Sequence, residues 1–116
     1  MEYAAAYRLA DEIRASEEYR TYHRLKESVM GVDTQAALIQ EYRKLQVRLQ
    51  MSAMAGQTAD AETMQRFSGI SALLFSKAEV RDFLLAEMRL QQTMADIFKI
   101  VTDATGVEIS VPGAEG

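Results

Sequence analysis

A chain of 116 residues, 48% hydrophobic and 26% charged, is long enough for one domain with its own core and too apolar to be disordered. It has no cysteine, which excludes disulfides, thiolate nucleophiles and cysteine-ligated metal centres, and its net charge of −4 argues against a dedicated nucleic-acid binder. Six glycines and a single proline, Pro112, leave little punctuation, and the abundance of Ala, Leu, Met, Gln, Glu and Arg predicts an all-α protein.

The first predicted helix runs from about Glu2 to Ala15 and carries Tyr3, Ala6, Tyr7, Ala10 and Ile13 on one face. Ser16 reads as the N-cap of a second helix, with Glu17 and Glu18 in its first turn where the helix dipole favours negative charge. A single rod bent at Ser16 is the alternative. The second helix turns Tyr19, Tyr22, Leu25 and Val29 inward and ends at Gly31, read as a left-handed C′ residue.

Asp33 reads as the next cap, opening a third helix that reaches about Ala55 before Gly56. At about 1.5 Å per residue it is a rod of some 33 Å, long for so small a domain. Leu38, Tyr42, Leu45 and Leu49 form one apolar stripe on it; Val47, Met51 and Met54 form a second, placed roughly a third of a turn away. A surface helix of a monomer normally buries one stripe, so two imply a helix wedged between its own domain and a partner.

The segment 56–60 reads as a loop whose Asp60 caps a fourth helix bearing Met64, Phe67, Ile70, Leu73 and Leu74, with Gly69 a weak point or a close contact. Ser76-Lys77-Ala78-Glu79 matches a capping box for a fifth helix that extends to about Thr105 and is stopped by Gly106. That helix also has two stripes: Phe83, Leu90, Met94, Ile97 and Val101 on one, Val80, Leu84, Met88 and Phe98 on the other. The sequence predicts one helical domain over 1–106. The remainder, 107–116, has an alternating run of Val107, Ile109 and Val111 that suits an edge strand, but it is read as a flexible tail.

The N-terminus lacks the basic and apolar regions of a signal peptide, and the longest uncharged apolar run, 69–76, is far short of the roughly 20 residues that span a bilayer. A soluble, cytoplasmic protein is expected.

Little in the chain carries chemistry. His23 is the only histidine; Tyr19, Tyr22, Arg24 and Lys26 are read as its neighbours, with no acidic partner, so it is taken as an ordinary, partly exposed side chain. No Glu-x-x-His pair is present for a di-metal bundle site, and phosphate loops and nucleophile elbows are absent. Neither a catalytic residue nor a cofactor or metal site is expected. Glu87 interrupts an apolar stripe between Phe83 and Leu90 and is read as a register-fixing partner of an arginine across an interface. Arg43, Lys44 and Arg48 form a basic cluster on the third helix. It suits contact with RNA or an acidic protein, but a solvated face with Glu41 as counter-charge is preferred because no aromatic residue interleaves the cations. The methionines of helices three to five are adaptable fillers for a core or an interface.

Ser16-Glu17-Glu18-Tyr19 followed by Tyr22, and the run from Asp33 through Glu41-Tyr42-Arg43-Lys44 to Gln46, resemble the YlbF/YmcA family of small helical proteins from Gram-positive bacteria. Val80, Phe83-Leu84, Ala86-Glu87 and Leu90 are similar to the family's helix in the second half, and the likeness spans about Tyr3 to Thr105. The resemblance implies a multihelical fold that dimerises through its long helices. It also implies a regulatory adaptor in competence, sporulation or biofilm development, assembling with family paralogues and a further partner to modulate the endoribonuclease RNase Y. The iron–sulfur clusters of some family complexes sit on cysteines this chain lacks.

The expected protein is a five-helix, all-α homodimer without catalytic activity. Leu38, Tyr42, Leu45, Leu49, Phe83, Leu90, Met94 and Ile97 are its core or interface positions, with Glu87 at the interface. The rival readings are direct RNA binding through Arg43, Lys44 and Arg48, and a small-molecule or metal site beside His23 or Glu87. A cysteine-free paralogue of unknown role, with the small-molecule site in its bundle, is a further alternative.

Overall fold

The computed structural model describes residues 1–107, which form five α-helices and no strand. These are α1 (Ala4–Ala15), α2 (Glu17–Met30), α3 (Asp33–Met54), α4 (Ala61–Phe75) and α5 (Ala78–Thr105). The chain is all-α, as its composition predicts. Of the alternating run near the C-terminus, only Val107 is described, irregular and exposed; Ile109, Val111 and the rest of the expected tail lie outside the described residues.

Local chemistry explains most of the breaks. Ser16 takes an extended backbone (ψ 150°) and separates α1 from α2, so the single bent rod is not what forms. Its hydroxyl donates to the Ile13 carbonyl at 2.6 Å, which also accepts the Ser16 N–H, and accepts the otherwise orphan Tyr19 N–H at 3.1 Å, so one side chain bonds to both helix ends. Asp60 caps α4 as expected, accepting the Thr63 N–H at 2.6 Å. Hydrogen bonding to Thr63, aided by the charge of Arg48, holds its carboxyl below the usual value of 3.8. Gly56 (φ 70°) and Gly106 (φ 68°) follow α3 and α5 in the left-handed region.

Three expected caps are corrected. Gly31 does not adopt a left-handed backbone. It is required for space, because a Cβ there would stand 2.7 Å from the Glu27 carbonyl oxygen, which accepts the Gly31 N–H. Asp33 is the first residue of α3 rather than its cap; Val32 holds that position without a side-chain bond, and Asp33 acts only through its charge in the first turn. The Ser76–Glu79 box does not close. Ser76 donates back to the Leu73 carbonyl at 2.7 Å, α5 begins at Ala78, and the Glu79 carboxylate receives the Ser28 hydroxyl instead.

The described chain separates into two compact units. His23–Leu84 makes up one; Met1–Tyr22 together with the chain from Leu85 onward makes up the other. The unit 23–84 holds the core: Val29, Ile39, Leu45, Leu74, Val80 and Phe83 are buried there, with Thr63. α3 packs along α4, and Tyr42 stacks on Phe67 at 5.2 Å while meeting Phe75 edge-on at 6.1 Å. Gln35 ties the start of α3 to its surroundings, donating to the Val29 carbonyl at 3.1 Å and accepting from Lys77 at 3.4 Å.

In the other unit, Ala86 is the only buried side chain among the described residues. Half-buried Thr93 on α5 donates its hydroxyl to the Glu18 carboxylate on α2, at 2.8 and 3.0 Å to the two oxygens. The apolar face of α1 is largely open: Tyr3 and Tyr7 are exposed, Ile13 is half-buried, and no residue of the helix is fully buried.

Candidate interaction site

The apolar positions of α3 and α5 divide into enclosed and open sets. Among the expected core or interface residues, Leu45 and Phe83 are fully enclosed in the unit 23–84 and present no surface to a partner. Leu38, Tyr42 and Leu49 on α3 are half-buried, as are Glu87, Leu90 and Ile97 on α5, whereas Met94 is exposed. Ile39, which the stripe reading leaves out, is wholly buried. It is the third residue before Tyr42, so it flanks that stripe and widens the buried face.

The second α3 stripe is the open one. Val47, Met51 and Met54 are 53%, 65% and 82% exposed. At about 100° per residue Val47 lies some 200° around the helix from Leu45. The stripe is therefore near the opposite side from the buried face, not a third of a turn from it, and the core cannot reach it. A shallow open groove of ≈ 430 Å³ runs along this side, lined by Lys44, Val47, Arg48, Met51, Ser52 and Ala55, with Gln57 at its end.

In the unit formed by 1–22 and the chain from Leu85, exposed apolar side chains recur along α5 at Met88, Met94, Ile100 and Val101, and on α1 at Tyr7. Sequence patterning marks these positions as apolar. It cannot say that the chain itself leaves them uncovered.

The polar candidates sort differently from expectation. Glu41 is not the counter-charge of the basic cluster: its Oε1 lies 3.2 Å from Nη2 of Arg66 on α4. Lys44 and Arg48 are exposed beside the open stripe, and Arg43 is half-buried. His23, read as lacking an acidic partner, has one a helical turn away: Glu27 Oε1 stands 3.1 Å from its Nε2. Both side chains are exposed, as in an ordinary i, i+4 surface pair. Among the described residues no three His, Asp or Glu side chains are grouped to hold a metal, and no helix is long and apolar enough to cross a membrane.

Comparison with known proteins agrees with this helical architecture. Residues 3–105 match the family model described as "Control of competence regulator ComK, YlbF/YmcA". A UPF0342 protein of Halothermothrix orenii is 31% identical over 109 residues, covering 94% of this chain and 91% of that protein. UPF0342 protein YheA of Bacillus subtilis is 26% identical over 99 residues, 85% of each. Among solved structures, a protein of unknown function (DUF964) from Bacillus stearothermophilus superposes with a TM-score of 0.69 at 23% identity. It covers 90% of this chain and 91% of its own, and it shares the fold.

Proposed function

Because the chain belongs to the YlbF/YmcA family of competence-regulator control proteins, we propose that it is a non-catalytic regulatory adaptor that works as a homodimer. The observation that carries this reading is the placement of apolar surface. Met88, Met94, Ile100 and Val101 stand exposed on α5, in a unit where Ala86 is the one buried side chain among the described residues, while Val47, Met51 and Met54 stand exposed on α3. Uncovered apolar area of this extent marks interaction surfaces, and about 800 Å² per protomer suffices for a stable interface.

In this reading the second copy covers the α5 face, and other exposed surface docks a client. The family resemblance supplies the kind of client: the RNase Y assembly of mRNA maturation, reached with family paralogues. The protein changes which molecules meet and performs no bond chemistry itself.

Two measurements test it. Sedimentation equilibrium should give twice 13.0 kDa for the unaltered chain, and the chain mass for the double variant Met94→Glu, Ile100→Glu with helical circular dichroism retained. A concentration-independent 13.0 kDa species in the unaltered chain overturns the dimer. Affinity capture from the native cell should recover RNA-decay components, and a profile without them overturns the adaptor role.

A further inference from the structure

The C-terminal half of α3 combines features that neither core packing nor the α5 face uses. Residues 44, 47, 48, 51 and 55 recur at three- and four-residue steps, so the groove follows one side of the helix for about three turns. Its floor is aliphatic and thioether, Val47 and Met51, and Lys44 and Arg48 stand one turn apart along it. No acidic residue occurs between Glu41 and Asp60, although the whole chain carries −4. At its two ends Glu41 is turned to Arg66, while Asp60 caps α4 and interacts with the charge of Arg48, so the groove's two cations outnumber the one acid that bears on them. This groove is therefore a locally cationic, apolar strip on an acidic protein.

Its dimensions and chemistry select an occupant. An amphipathic helix laid on such a strip places apolar residues at i, i+3 or i+4 and i+7, and methionine adapts its shape to them. The cations on the strip require carboxylates flanking that apolar face. RNA fits less well, since no aromatic side chain lines the groove to stack a base.

We propose that this groove receives an acidic amphipathic helix of a client protein, with the helix's apolar face on Val47 and Met51 and its carboxylates against Lys44 and Arg48. The proposal rests on the adaptor reading and names the chemistry of the client segment.

The full-length chain, carrying a photoreactive phenylalanine analogue in place of Met51, is irradiated in the native cell and the cross-linked segment is sequenced. The expected adduct maps to one helix-forming segment with apolar residues at those spacings and Asp or Glu beside them. The Lys44→Glu, Arg48→Glu double variant, checked for unchanged helicity and melting, should lower its yield about tenfold. An adduct on a second copy of this chain, on RNA or on a segment without carboxylates overturns the proposal, as does no adduct or a yield indifferent to charge reversal. Clients still captured at full level by Lys44→Glu, Arg48→Glu and by Met51→Glu overturn the groove while the adaptor reading stands. Loss of all clients from the unaltered chain overturns both.

Discussion

Glu41 on α3 is held by Arg66 on α4, with 3.2 Å between Oε1 and Nη2 across the seam where the two helices pack. The pairing removes the one carboxylate that sequence proximity assigns to Arg43, Lys44 and Arg48. It joins the helices at a site only partly shielded from water, since about a third of the Glu41 side chain is exposed and more of Arg66. A double-mutant cycle with Glu41→Gln and Arg66→Met should therefore give a coupling under about 1 kcal/mol that shrinks with added salt. A coupling of several kcal/mol that is insensitive to salt would contradict this placement.

Gly31, just past the end of α2, and Gly69, inside α4, respond to alanine with opposite sign. At Gly31 the new Cβ meets the Glu27 carbonyl at 2.7 Å, and relieving that contact moves backbone. Gly31→Ala should lower stability by about 1–3 kcal/mol. Gly69 lies within α4 with nothing within 4 Å of an added Cβ. Gly69→Ala should raise stability by about 0.4–1 kcal/mol through the unfolded chain. Urea melts of the two variants decide the matter.

Asp60 makes stability depend on acid pH. Its folded carboxyl is held below 3.8 by Thr63, so the folded state favours the ionised form. The resulting stabilisation is fully present above the unfolded value and is lost as pH falls through the lower folded value. An asparagine in its place would cap without titrating. The stability of the unaltered chain relative to Asp60→Asn should be constant near neutrality and fall below about pH 4. A flat difference down to about pH 2, measured by thermal melting, would show that the cap does not favour the charged form.

Leu45 and Met51 lie on opposite sides of one helix, and truncation separates them. Leu45 is 2% exposed, and Leu45→Ala should cost about 2–4 kcal/mol, as cavity-forming changes do. Met51→Ala should alter chemical stability by no more than about 0.5 kcal/mol in the isolated chain. Equal losses at both positions would show that Met51 is buried in solution.

The helical class, the breaks at Ser16 and Asp60 and the stop at Gly106 were legible because each depends on residues within a few positions. The failures involve longer reach. The three-residue spacing of Ser76 and Glu79 predicts a local pair, yet the Glu79 bond comes from Ser28, on a different helix. The residue type at Gly31 predicts a left-handed backbone, while its role depends on the approach of the Glu27 carbonyl. Periodicity marked Tyr3, Tyr7 and Met94 as apolar without saying that the described chain leaves them uncovered, because burial depends on what lies opposite. The α3 stripe of Val47, Met51 and Met54 was visible as a pattern. Its cationic flank depends on Glu41 being turned toward Arg66 on another helix, which periodicity does not encode.

The unit in which Ala86 is the one buried side chain among the described residues also bears on how long the chain persists. Helices with few buried apolar contacts open locally at small free-energy cost, and a protease needs such openings to find an extended segment. A molecule that binds only the closed form suppresses opening in proportion to its occupancy. If a second copy covers α5 as proposed, resistance to cleavage along α1 and the distal part of α5 would read out that association, solitary copies being trimmed first and occupied ones spared.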